Sequence, residues 1–166
     1  MVIKNLEKNF LINLCFVLLI FFLDRISKIY VIYLDNKILG SDIFSSQYLN
    51  INLTWNEGIA FGMFSSADKT FYNLLTIFIL IIILIIIFMS NKSEGLKKYS
   101  LLMILGGALG NFFDRIFNKA VPDFIDFHVQ EFHWFIFNVA DIFITLGVLF
   151  MIFLEFTDNK KKHENI

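Results

Sequence analysis

The sequence predicts an α-helical integral membrane protein with four transmembrane helices. Of its 166 residues, 57% are hydrophobic, whereas a soluble domain is about 45–50% apolar. The stretch from Phe71 to Met89 carries no charge, and its helix would be about 28 Å long against a ~30 Å hydrocarbon core. Three further apolar stretches are separated by polar or basic segments, so we expect residues 1–166 to form a single membrane-embedded domain.

The four predicted spans differ in how much charge they carry; they cover residues 10–34, 71–89, 99–117 and 135–156. The uncharged parts of the first, third and fourth spans are shorter than the hydrocarbon core, so charged residues must enter the membrane interface. In the first span, Asp24 and Lys28 are four residues apart and are expected to pair on one helix face. The fourth span is expected to begin near residue 135, which places Asp141 below the membrane surface.

The segments 35–70 and 118–134 are predicted to be outer loops. Residues 47–55 alternate loosely between polar and apolar types, which is typical of a half-exposed strand. In the second loop, Pro122 blocks continuation of the preceding helix. Lysines are concentrated at both ends of the chain and between the second and third spans. This distribution predicts cytoplasmic termini and extracytoplasmic loops.

Several kinds of site find no support in the sequence. The net charge of −1 and the lack of a basic stripe give no sign of nucleic-acid binding. No phosphate-binding loop, dinucleotide fingerprint or Gly-x-Ser-x-Gly motif occurs. Three histidines, His128, His133 and His163, could suggest a metal site with Asp126 or Glu131, but their spacing matches no zinc pattern. We interpret the histidines as solvated loop residues. We therefore predict no metal and no organic cofactor.

Two Asn-x-x-Asp patterns occur in the later apolar stretches, one at Asn111 and Asp114 and the other at Asn138 and Asp141. Residues three apart lie on the same face of a helix, so each helix would point an amide and a carboxyl the same way. Ionisable groups in membrane segments are costly and usually have a function. The predicted orientation places five polar residues at the outer boundary of the membrane: Asp24, Asn56, Asp114, Asp123 and Asp141.

Other features of this region have a structural interpretation. Gly106 and Gly110 form a small-x-x-x-small pattern, which lets a neighbouring helix approach closely. Asp114 and Arg115 are expected to form an ion pair that caps the end of the third helix. Neither feature needs a catalytic role to explain its presence.

Asp123 and Asp141 are the residues from which we expect chemistry. An unpaired carboxylate in a dry site takes up a proton or shares one. In a pair that shares one proton, the ionised carboxyl activates water and the protonated carboxyl polarises the scissile carbonyl of a peptide bond. On the residues alone, three interpretations remain open: this acid/base pair, a proton- or ion-translocating site, and structural polar contacts.

Five segments, in order across nearly the whole chain, resemble the lipoprotein signal peptidases (signal peptidase II) of bacteria. They are Asp24-x-x-x-Lys28, Asn56-x-Gly58-x-Ala60-Phe61, Gly106-Gly107-Ala108-x-Gly110-Asn111-x-x-Asp114-Arg115, Val121-x-Asp123-Phe124 and Phe137-Asn138-x-Ala140-Asp141. The resemblance implies an aspartic-type endopeptidase that removes the signal peptide from diacylglyceryl-modified prolipoproteins, cleaving before the lipidated cysteine. Its catalytic residues would be Asp123 and Asp141.

The resemblance also implies the surroundings of that pair. Residues that support the dyad and bind substrate or inhibitor would be Asp24, Lys28, Asn56, Gly58, Asn111, Asp114, Arg115 and Asn138. A small extracytoplasmic β-cradle around residues 56–62 would lie on the outer leaflet of the bacterial inner membrane. The protein would act as a monomer on lipidated prolipoproteins, in contact with membrane lipids, and would bind globomycin-type inhibitors. The alternative is a small proton-coupled membrane transporter, which would place its carboxylates near the membrane midplane.

Overall fold

The computed structural model describes residues 2–38, 42–58 and 69–164. These residues form the helices α1 (Val2–Ile38), α2 (Lys69–Lys92), α3 (Gly95–Phe117) and α4 (Val139–Glu164). They also form the strands β1 (Phe44–Ser45), β2 (Leu49–Asn56), β3 (Val121–Val129) and β4 (Phe132–Phe137). Each of the four helices contains a segment long and apolar enough to cross a membrane, so the predicted fold class is confirmed.

Helix α3 lies at the centre of the bundle and packs against each of the other three helices. Its buried residues include polar groups near its C-terminal end, whereas α2 and α4 expose large apolar side chains such as Phe78, Leu84 and Phe153. In lipid, a helix satisfies its own backbone hydrogen bonds, and apolar side chains on its outer face are favourable. The polar interior of the bundle is therefore concentrated along α3.

Two glycines of α3 bring its neighbours unusually close. A Cβ atom on Gly106 would lie 2.8 Å from Cβ of Ile20 in α1, and one on Gly110 would lie 2.5 Å from Oδ2 of Asp24. The predicted close packing at this small-x-x-x-small pattern is confirmed, with α1 as the partner helix. One consequence is that the polar residues of α1 and α3 lie within hydrogen-bonding distance of one another.

The sheet has the order β1-β2-β3-β4, and every neighbouring pair is antiparallel. Strand β3 is central and pairs with β2 at Thr54↔Asp123. Its pairing with β4 begins only at Ile125, so one edge of β3 has no strand beside it at Pro122. A proline, which lacks an N–H, fits such a position. Asp123 is thus held on a strand at the point where the sheet meets the helices.

The structure differs from the prediction in the second outer loop and at the start of the fourth helix. Residues 118–134, predicted as an outer loop, contain β3 and the start of β4, and the fourth helix begins at Val139. The prediction that the fourth span begins near residue 135 is therefore wrong. Apart from His133, the run Phe132–Phe137 is apolar, and a short run of that kind does not distinguish strand from helix. Of the proposed cradle segment 56–62, residues 59–62 lie outside the described residues.

We expect Gly107→Ala to destabilise the bundle. The added Cβ would lie 2.5 Å from the backbone oxygen of Ala140, so α4 itself would have to shift, and overpacking of this kind costs about 1–3 kcal/mol. The measurement is the thermal unfolding temperature in detergent. Leu96→Ala, at a position on the same helix that is 71% exposed, is the control and should change it little. An unchanged unfolding temperature for Gly107→Ala would contradict the packing described.

Candidate active site

A cavity of about 310 Å³ lies where the sheet meets α3 and α4. It is lined by six of the residues singled out in the sequence: Asn56, Asn111, Arg115, Asp123, Asn138 and Asp141. Asp123 comes from β3 and Asp141 from the first turn of α4. The structure therefore brings the two carboxyls expected to carry chemistry into one cavity.

Both oxygens of the Asp123 carboxyl accept a hydrogen bond from an asparagine. Nδ2 of Asn138 donates to Oδ1 at 2.6 Å, and Nδ2 of Asn56 donates to Oδ2 at 2.9 Å. The side-chain oxygen of Asn56 in turn accepts from the backbone N–H of Gly58 at 2.9 Å. Asn56 is thereby oriented with its NH₂ group toward Asp123, which itself is only 4% exposed.

Asp141 is bound in the same manner, with one amide donor on each oxygen. Nδ2 of Asn111 donates to Oδ1 at 2.8 Å, and the backbone N–H of Asn138 donates to Oδ2 at 3.1 Å. The backbone N–H of Asp141 donates back to Oδ1 of Asn138 at 3.1 Å. This reciprocal pair is a capping box, in which Asn138 is the N-cap of α4. The two residues meet because Asn138 caps the helix, whereas the sequence predicted that both would lie within it.

The electrostatics of the cavity favour a proton on the acidic pair. Burial raises the pKa of Asp123 from 3.8 to about 6, and the neighbouring Asp141 carboxyl adds to the increase. The hydrogen bonds from Asn56 and Asn138 act in the opposite direction. Because burial outweighs the amide donors, Asp123 holds its proton to a higher pH than an ordinary aspartic acid does.

Arg115 contributes a partly unpaired guanidinium to the same cavity. Its Nη2 donates to the backbone oxygen of Gly58 at 2.7 Å. Its Nε and Nη1 are buried and have no hydrogen-bond partner among the residues that the structure describes. A guanidinium presents several N–H donors in a fixed plane, so Arg115 has donors available for an oxygen atom in the cavity.

Behind the cavity, α1 and α3 share a buried cluster of four charged residues. Lys28 donates to Asp24 Oδ2 at 2.9 Å, Asp114 Oδ2 at 2.8 Å and Asn111 Oδ1 at 2.8 Å. These three bonds use all three donors of the ammonium group. Arg25 forms a bidentate pair with Asp114 through Nη1–Oδ1 at 2.7 Å and Nη2–Oδ2 at 2.5 Å. Two positive and two negative groups thus compensate one another in a buried position.

The cluster also orients two parts of the cavity. Because Lys28 holds the side-chain oxygen of Asn111, the NH₂ group of that asparagine faces Asp141. Asp24 Oδ1 accepts from the backbone N–H of Ala140 at 3.0 Å, within the first turn of α4. The expected pairing of Asp24 with Lys28 is confirmed, and its effect extends to the position of Asp141.

The expected ion pair between Asp114 and Arg115 does not form. Asp114 pairs with Arg25 and Lys28 of α1, while Arg115 binds Gly58. Consecutive residues on a helix point in different directions, which separates the two side chains. Arg25 is the partner that the sequence reasoning missed; its position directly after Asp24, and three before Lys28, was the available signal.

Two of the histidines interpreted as solvated, His128 and His133, lie beside a buried carboxyl. Asp126 is buried, and His133 Nδ1 lies 2.7 Å from its Oδ2. The ring of His128 stacks on that of His133, with centroids 5.0 Å apart. The side chain of His163 lies outside the described part of the chain, and Glu131 is an exposed turn residue. The interpretation as solvated loop histidines is wrong about the loop, because His128 lies on β3 and His133 on β4, whereas His133 is exposed as expected.

Comparison with known sequences gives consistent matches. A family model described as signal peptidase (SPase) II matches residues 16–157. A lipoprotein signal peptidase of Pelagibacter ubique (strain HTCC1062) is 50% identical over 158 residues, which are 95% of this chain and 95% of that protein. A lipoprotein signal peptidase of Anaplasma marginale (strain Florida) is 34% identical over 150 residues, which cover 89% of this chain and 86% of that one.

Two solved structures of bacterial membrane enzymes have the same fold. One matches with a TM-score of 0.73 and 27% identity, over 90% of each chain. The other matches with a TM-score of 0.66 and 26% identity, over 86% of this chain and 90% of that one. Sequence and fold comparisons therefore agree over nearly the whole chain.

Lys28→Met should destabilise the protein strongly. It leaves Asp24 and Asp114 with Arg25 as their remaining cation, and breaking a buried ion pair costs about 3–5 kcal/mol. Lys97→Met is the matched control, because Lys97 is 47% exposed and lies 3.7 Å from Glu155. Such surface pairs contribute about 0–1 kcal/mol. Denaturant unfolding in mixed micelles measures the change in unfolding free energy for each substitution. Equal changes for the two would contradict the stabilising role of the buried cluster.

The raised pKa of Asp123 should make stability depend on pH. Its pKa is about 6 when folded and 3.8 ordinarily, so the folded state binds this proton more tightly than the unfolded state does. Stability should therefore fall as the pH rises from about 4 to about 6. The measurement is the unfolding temperature of the wild type minus that of Asp123→Asn, in which the group does not titrate. A difference that stays constant across this window would show that burial does not raise the pKa.

Proposed function

The chain belongs to the signal peptidase II family, and we propose that it cleaves its substrates as an aspartic-type endopeptidase through Asp123 and Asp141. Family membership makes it a membrane-embedded peptidase that removes signal peptides from lipoproteins. The mechanism is proposed because Asn138 donates a hydrogen bond to each of the two carboxyls, and both line one cavity. Two acidic groups in such a cavity share a proton more readily than both ionise.

The proposed reaction needs one ionised and one protonated carboxyl. The ionised member removes a proton from a water molecule, whose oxygen forms a bond to the scissile carbonyl carbon. The protonated member donates a hydrogen bond to the carbonyl oxygen as negative charge develops there. When the carbon–nitrogen bond breaks, one proton passes to the leaving nitrogen, which becomes an NH₂ group. Two protons then remain, one on the new carboxyl group and one shared by the acidic pair. Neither a metal nor an organic cofactor takes part.

The surrounding side chains suit the binding of a peptide backbone. Arg115 has N–H donors without partners in the described part of the chain, and it lines the cavity beside Asp123. We infer that these donors bind a carbonyl oxygen of the substrate, while Asn111 and Asn138 hold the two carboxyls in position. Orientation of the reacting groups in this manner supplies a large part of catalysis in many enzymes.

The charge distribution supports a cavity at the extracytoplasmic face. Lys92 ends α2, and Lys97 and Lys98 lie in the first turn of α3. The connection between these helices is therefore basic, and basic connections favour the cytoplasmic side. The cavity lies at the opposite end of α3, so both chain termini would be cytoplasmic. Trp55 and Trp134 are exposed on the sheet, as expected of aromatic residues at a membrane interface.

This placement matches a substrate that is anchored in the outer leaflet. A diacylglyceryl group on a cysteine would hold the neighbouring peptide bond at the level of the cavity, so we propose cleavage on the N-terminal side of that cysteine. A protein of this kind would work as a monomer among membrane lipids. Globomycin-type cyclic peptides would inhibit it by occupying the same cavity.

A small proton-coupled transporter is the alternative from another class. Its carboxylates would lie near the midplane and be accessible from both sides. Here Asp123 lies on strand β3 and Asp141 in the first turn of α4, so both carboxyls lie at one end of the helix bundle. Their position therefore favours the peptidase.

Asp123→Asn and Asp141→Asn should each abolish cleavage of a lipidated prolipoprotein by the purified protein in detergent. General acid–base catalysis alone typically contributes about 10²–10⁴-fold, so we expect at least about a 100-fold loss of rate. Asp42→Asn is the control, because Asp42 is an exposed residue just before β1, outside the cavity lining. It should leave the rate unchanged.

Unfolding temperatures of the three variants separate loss of chemistry from loss of fold. Cleavage at the wild-type rate by either cavity variant would reject the acid/base pair. Absence of cleavage in the wild type, together with proton-coupled uptake in vesicles, would favour the transporter.

A further inference from the structure

A second group of ligand-forming side chains lies on the sheet, apart from the acid pair. We propose that Asp126, His128 and His133 form a binding site for a divalent transition metal, with zinc as the ion that fits them best. Their candidate ligand atoms all lie within 4.8 Å of one another. This proposal is independent of the peptidase mechanism, because metal binding is measured without substrate.

The strand register brings the three residues together. Asp126 and His128 are two apart on β3 and so lie on one face of the sheet, whereas Asp123 lies on the other. His128 and His133 are direct partners across β3 and β4. A bulge in β4 sets residues 134 and 135 opposite Phe127. Because the partners sit on two strands, a search for a linear zinc spacing does not find them.

Two buried side-chain atoms of this group lack hydrogen-bond partners among the described residues. Asp126 is 4% exposed, and its Oδ1 has no hydrogen-bond partner among the residues that the structure describes. The same is true of Nδ1 of His128. Buried polar atoms are nearly always paired in folded proteins. A shared ligand between the two strands would satisfy both atoms.

The chemistry of the three groups points to zinc. Two imidazoles and one carboxylate, with a fourth position open to water, form a common zinc ligand set. Bonds of about 2.0–2.2 Å in a tetrahedron require ligand atoms about 3.4 Å apart. The side chain of His133 is 52% exposed, so it can rotate to reach this geometry.

A metal at this position would join the two strands that lead to the cavity. Strand β3 carries Asp123, and β4 ends at Phe137, directly before Asn138. The ion would connect the strands near the outer end of their hairpin, on the face opposite Asp123. Binding of the ion to the folded state should therefore appear as a higher unfolding temperature when zinc is added.

The test is calorimetric titration of the full-length protein with zinc chloride. The protein is purified in detergent with a histidine-free tag and is first treated with a chelator. We expect one equivalent of zinc to bind to the wild type. His133→Gln should weaken binding at least about tenfold, since loss of a group that only supports a ligand already costs about 10–100-fold. His163→Gln is the matched control, as the remaining histidine of the chain, and should bind like the wild type.

Further variants and a second readout make the result decisive. His128→Gln should weaken zinc binding as His133→Gln does, and zinc should raise the unfolding temperature of the wild type but not of these variants. Metal-free unfolding temperatures show that each variant is folded. Failure of the wild type to bind zinc, or equal binding by His133→Gln, would overturn the proposal and leave an ordinary pair between Asp126 and His133.

Discussion

Asn138 makes four hydrogen bonds at the point where β4 ends and α4 begins. Its side-chain amide donates to Asp123, its backbone N–H donates to Asp141, and its two oxygens accept from the N–H groups of Asp141 and Ile142. The first N–H groups of a helix have no partner within it and must be capped where they are buried. The bonds that begin α4 are therefore also the bonds that position two acidic groups, and a change at this asparagine affects folding and site geometry together.

The charged cluster between α1 and α3 places further acidic groups inside the bundle without adding net charge. Two buried carboxylates, Asp24 and Asp114, are balanced by Lys28 and Arg25, so the cluster adds no net charge to a region of low dielectric constant. The acidic pair, by contrast, has amide donors on its oxygens and no ion pair of its own among the described residues. Its charge is therefore controlled by proton binding, which is the property that acid–base chemistry requires.

Much of the fold and the candidate site could be predicted from local sequence, and the remainder depends on contacts between distant residues. Span length and charge placement predicted the four helices, and the four-residue spacing of Asp24 and Lys28 predicted their pairing. The strands at 121–137 were missed because pairing with β2 decides their structure, and an aromatic run such as Phe132–Phe137 is also compatible with a helix. The true partners of Asp114 lie on another helix, which local spacing cannot reveal.

We propose that Asp123 and Asp141 act together at one scissile carbonyl group. The most direct measurement is a structure of the protein bound to a lipidated peptide whose scissile amide is replaced by a carbon bearing a hydroxyl group. This hydroxyl should lie within about 2.6–3.2 Å of a carboxyl oxygen from each of the two residues. A hydroxyl bound by one carboxyl alone, or a peptide held outside the cavity, would contradict it.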